Sequence, residues 1–62
     1  MAHSLHYQLG ESVRAIEAEV GKLFDLAATL KEAGNDDLAG AVSTRASNLL
    51  EAAVALRIAT SD

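Results

Sequence analysis

The residues best suited to chemistry sit at the amino terminus, where Met1-Ala2-His3 sets an imidazole third in the chain. With Met1 retained, the terminal amine, two backbone nitrogens and the His3 ring form a square-planar donor set suited to copper(II) or nickel(II). His6 lies one turn further on and can add a ligand. A small second residue such as Ala2 favours removal of Met1, which spoils this spacing, so the expectation is a polar terminus without metal. His6 also fits the helical position before Leu9, at the edge of a core.

The remaining polar residues form no catalytic constellation. Glu11, Arg14 and Glu17 step three apart, as do Glu19, Lys22 and Asp25. Both sets read as solvated ladders worth a few tenths of a kcal/mol per pair. Ser43, Thr44, Ser47 and Asn48 have no His or Asp spaced to activate a hydroxyl. There is no Cys to act as a thiol nucleophile or hold zinc, and no Gly-rich phosphate loop. Arg45 stands beside small residues, placed either to meet a partner carboxylate across an interface or to lay its stem along a core edge. No enzyme activity, cofactor, metal or small-molecule substrate is therefore expected.

The elements that carry these residues are helical. The 62 residues are 50% hydrophobic, with no Pro, heavy Ala use and only Tyr7 and Phe24 as aromatics. Such a chain is too apolar for disorder and favours unbroken helices over sheets. Its net charge of −4, with Arg14, Lys22, Lys31, Arg45 and Arg57 dispersed among nine acids, argues against nucleic-acid binding. The first ten residues have no signal-peptide pattern, and the apolar run from Ala52 is too short to span a bilayer. A cytoplasmic location follows as the expectation.

One break divides the chain, at Ala33-Gly34-Asn35-Asp36-Asp37. Gly34 suits the left-handed conformation that closes a helix, and Asn35 or Asp36 suits the cap of the next. Lys31 before the break and Asp36 and Asp37 after it complement the two helix dipoles. The expected elements are a helix over 11–33, a turn at 34–35 and a helix over 36–60. Residues 1–10 are either a loose arm or an early start capped by Ser4, running through Gly10.

Both helices carry a heptad seam. In the first it is Leu9, Val13, Ile16, Val20, Leu23, Ala27 and Leu30; in the second, Ala39, Val42, Ala46, Leu49, Ala53 and Leu56, ending at Thr60. Folded antiparallel about the Gly34–Asn35 bond, the seams stay in register, from Leu30 opposite Ala39 to Leu9 opposite Thr60. Most layers match a large residue with a small one, which lets them interdigitate. The expected fold is an all-α, antiparallel two-helix hairpin forming one domain over residues 1–62.

Apolar residues continue outside the seam: Phe24, Leu26, Leu38, Leu50, Val54 and Ile58. One hairpin interface cannot cover them, so they are the expected interface with a second chain. The simplest partner is another copy, making a homodimeric four-helix bundle. The alternative is a different helical protein with a receiving groove.

Two families share these features. The seam Ala46, Leu49, Ala53, Leu56 resembles that of the plasmid RNA-binding protein Rop, a short hairpin that dimerises into four helices. The resemblance implies RNA binding, but that family uses a basic, polar helix face, and no comparable face is present here. Residues 20–62 also resemble the helical-hairpin co-chaperones of type III secretion needle subunits. That likeness lies in Lys31-Glu32-Ala33-Gly34-Asn35-Asp36-Asp37 and in Asn48-Leu49-Leu50-Glu51-Ala52-Ala53-Val54-Ala55-Leu56. It implies a hairpin that packs on a helical-repeat chaperone, with Leu50, Val54 and Ile58 facing it.

Overall fold

A computed structural model describes the backbone of residues 2–60 and the side chains of residues 5–60. It contains two helices, α1 (Ala2–Glu32) and α2 (Asp36–Ala59), packed against each other as a hairpin. The molecule is a narrow rod, 49 × 14 × 11 Å. α1 begins earlier than residue 11 and runs straight through Gly10, so Ser4 lies inside the helix and is not its cap. About two turns of helix before Gly10 and about six after it outweigh the roughly 1 kcal/mol that a glycine costs a helix interior. α2 stops one residue short of the expected end, with Thr60 as its C-cap.

The turn is built from three backbone hydrogen bonds. Asn35 N–H donates to the Leu30 carbonyl at 2.9 Å, and Gly34 N–H donates to Lys31 at 3.0 Å. That nested pair is the Schellman closure, and it places Gly34 at φ +85°, where a Cβ is strained. Asn35 then opens α2. Its carbonyl accepts from Ala39 N–H, and its side-chain oxygen accepts a long bond, 3.4 Å, from Leu38 N–H. One residue thus ends the first helix and begins the second.

The helix–helix crease is lined by small residues. Val13, Val20 and Ala27 of α1 and Ala39, Ala46 and Ala53 of α2 are buried, and each set repeats every seventh residue. The other heptad position behaves differently. Leu9, Ile16, Leu23 and Leu30 of α1, with Val42 and Leu56 of α2, are only half-buried. Leu49, expected within the seam, is 40% exposed. The reason lies in the layer pairing. In the six layers from Leu30–Ala39 to Val13–Leu56 the small member sits in the crease, and the larger one stands on the rim because two slim helices leave it no opposite wall. No large side chain among the described residues is fully buried.

The glycines make the backbone argument testable. A Cβ built on Gly21 meets nothing within 4 Å, and the residue lies in regular helix. Gly21→Ala is expected to stabilise the protein by about 0.5–1 kcal/mol, whereas Gly34→Ala, also with open space but at positive φ, costs about 1 kcal/mol. Thermal melts of the two variants should move in opposite directions.

Candidate interaction surfaces

Helical geometry assigns each exposed apolar residue to one of two broad faces of the hairpin. At 100° per residue, Phe24 lies on one flank of the Val20–Ala27 line of α1, while Leu23, Leu26 and Leu30 lie on the other. On α2, Ser43, Leu50 and Arg57 share one flank of the alanine line, while Leu38, Val42, Arg45 and Leu49 share the opposite one. Two grooves fix how the helices combine. Phe24, Ala28 and Lys31 line one groove with Asp36, Gly40 and Ser43. Leu23 lines another with Leu38, Ala41, Val42 and Arg45.

The six residues expected to form one interface are all exposed, but they do not make one patch. Phe24, Leu50 and Val54 belong to the first face, with Ile58 turned further outward at 67% exposure. Leu26 and Leu38 belong to the second face. There they extend the half-buried row of Ile16, Leu23, Leu30, Val42 and Leu56 and the exposed Leu49. Periodicity marks this row as seam, but it does not reveal that each large member stays open on the same side. Leu5 and Tyr7 are exposed as well, at 59% and 66%, beyond the point where the seam was expected to begin.

Charge separates the faces further. On the first face, the Arg57 guanidinium of α2 donates to Glu17 Oε2 of α1, closing the open end of the hairpin. The register already places Arg57 one arginine length from Glu17, although residue spacing alone assigned Glu17 to the Arg14 ladder. The other step of that ladder is present, Arg14 pairing with Glu11 at 3.0 Å. The second expected ladder, Glu19, Lys22 and Asp25, forms no ion pair among the described residues.

That Arg14 guanidinium, helped by the Tyr7 hydroxyl, holds the exposed Glu11 carboxyl below its ordinary value. The sign follows: the depressed value in the folded state favours the ionised form, a contribution present above the unfolded pKa and lost as pH falls through the folded one. Arg14→Ala should raise the Glu11 midpoint toward the usual glutamate range, with the Tyr7 hydroxyl still holding it down in part, read by NMR titration of its side-chain carbonyl.

The hydroxyls serve the backbone. Thr29, Thr44 and Thr60 donate to the carbonyls of Asp25, Gly40 and Leu56 at 3.1, 3.0 and 2.9 Å. The possible copper or nickel site at His3 lies outside the described side chains. Among the described residues there is no group of three His, Cys, Asp or Glu placed to hold a metal, and no helix long and apolar enough to cross a membrane. No family model, curated protein or solved structure matches the chain.

Proposed function

We propose that this hairpin is a non-enzymatic interaction module of the cytoplasm that associates with itself, two copies forming a four-helix bundle. The observation that supports this reading is the mismatch between crease and surface. Among the described residues the buried ones are all Val or Ala, while nine large apolar side chains are exposed, three of which (Leu26, Leu38 and Leu49) lie on the second face beside the half-buried Ile16, Leu23, Leu30, Val42 and Leu56. Burying one Leu, Ile or Phe contributes roughly 1.5–3 kcal/mol, and the crease of small residues gains little of this. Conformational entropy nearly cancels what a single hairpin interface supplies, so covering the exposed rows in a second copy is the direct source of stability.

Sedimentation equilibrium tests this. The expected mass is twice the 6.5 kDa of one chain, with a melting temperature that rises with protein concentration. A single-chain mass with a cooperative, concentration-independent melt overturns the reading.

A second reading has its own support in the first face. Phe24, Leu50 and Val54 lie outside the heptad rows, so a bundle built on the other face leaves them available to a different helical protein. Two of these, Leu50 and Val54, are with Ile58 the residues that the co-chaperone resemblance assigns to a helical-repeat partner. Its mark would be a purified protein that is poorly helical alone and gains helicity on mixing with that partner.

A further inference from the structure

Along the rim of the second face, Ser12, Glu19 and Leu26 step by seven on α1, and Leu38, Arg45 and Ala52 step by seven on α2. Glu19 and Arg45 are the only charges in these two rows. Each precedes a buried residue, Val20 or Ala46, and therefore stands at the border of the apolar face. Both are exposed, and neither enters an ion pair within the hairpin among the described residues, in contrast to Arg14 and Arg57.

We infer that a second copy covers the face of Ile16, Leu23, Leu30, Val42, Leu49 and Leu56, with α1 of each copy beside α2 of the other. The two-fold axis then runs parallel to the helices, and Glu19 of each copy faces the partner's Arg45. This deepens the self-association reading and rests on it. A two-fold interface must complement itself, and one acid and one base on the same border do so. The face is also large enough. Where the two helices overlap, from the Leu9–Thr60 layer to the turn, it is roughly 36 Å long and 14 Å wide, so it projects to about 500 Å² before side-chain relief raises it toward the roughly 800 Å² per partner of a standard interface.

Charge chooses the orientation. In the hairpin register Glu19 is level with Leu50, and Arg45 with Phe24. An axis parallel to the helices keeps those levels, so the partner's Arg45 lies about five residues, roughly 7.5 Å, along the bundle from Glu19. Extended Glu and Arg side chains span that offset. An axis perpendicular to the helices sets α1 against α1 and α2 against α2. In the centred register it brings Glu19 toward Glu19 and Arg45 toward Arg45 across the same offset, which is repulsive twice over. The parallel axis places both copies of Asp36 and Asp37 at one end, but at the wet tip of the rod, where water and salt screen them.

The absence of cysteine allows a direct test on the full chain. Glu32→Cys carries a spin label at the turn, and the label-to-label distance is read by pulsed dipolar spectroscopy. The expected distance is on the order of 20–25 Å, about two helix diameters. A distance of roughly 32 Å or more, the separation along the bundle that the perpendicular axis in its centred register requires, overturns the proposed orientation. In parallel, Glu19→Arg alone is expected to raise the dissociation constant about tenfold, and Glu19→Arg with Arg45→Glu to restore it. Equal constants for wild type, single and double variants overturn the Glu19–Arg45 pairing. A one-chain mass for the unlabelled protein overturns the self-association reading itself, a result distinct from either failure above.

Discussion

Leu49→Glu is expected to disperse the bundle, while Leu50→Glu leaves its mass unchanged. The comparison is stringent because the two leucines are adjacent and almost equally exposed in the hairpin, at 40% and 39%. Composition, helix propensity and local exposure are therefore matched, and only the direction of the side chain differs. Leu49 stands in the open row with Val42 and Leu56, where a second copy would enclose it. A glutamate there is either desolvated without a partner or forces the face apart, a cost of about 3 kcal/mol or more, equivalent to at least a hundredfold in dissociation constant. Leu50 points to the face of Phe24 and the Glu17–Arg57 pair, which the proposed bundle leaves in water. Sedimentation equilibrium of both variants decides the matter; loss of association in Leu50→Glu with retention in Leu49→Glu would exchange the roles of the faces.

The second large effect concerns the crease. Ala46 and Ala53 have no exposed surface at all. Their methyl groups set how closely the helices approach, and Leu23 and Ile16 lie opposite them in register. Ala46→Leu inserts three heavy atoms where no space exists, which requires strained rotamers or separated helices, at about 1–3 kcal/mol. Ala46→Gly removes the methyl and adds backbone freedom, at about 1 kcal/mol. Both variants should melt below wild type by circular dichroism, with the leucine variant lower. Should Ala46→Leu melt higher, the crease is not the closest contact in the molecule.

These two predictions also mark where the sequence is legible. The alternation of four- and three-residue steps from Leu9 to Leu30 and from Ala39 to Leu56 reports a period close to that of a helix, so helicity and hairpin register follow from it. The turn is legible for a different reason. Gly34, Asn35 and the Asp36-Asp37 pair each satisfy a separate requirement at the same place, and the Schellman bonds use them as expected. What periodicity cannot convey is rotation about the stripe. A heptad assigns Val20 and Leu23 equally to the seam, yet one is sealed and the other stands on the rim. The outcome depends on the size of the residue opposite and on the interhelical distance, which are tertiary quantities. For the same reason six apolar residues outside the seam read as one surface in a linear chain and divide between two faces in the fold. The start of α1 was undecided because Gly10 lowers propensity without stopping a helix. Glu17 with Arg57 was hidden because forty residues separate them in sequence.

Because only Ala33, Gly34 and Asn35 join the end of α1 to the beginning of α2, the order in which the chain folds is largely dictated. Loop closure is least costly at the bend, so Leu30 and Ala39 meet first, and the zipper advances toward Leu9 and Thr60. Damage to the bend should therefore slow folding, whereas damage near the open end should mainly hasten unfolding. The rod frays from its far tip inward, so the Leu9–Thr60 layer opens before the Glu17–Arg57 clasp lets go.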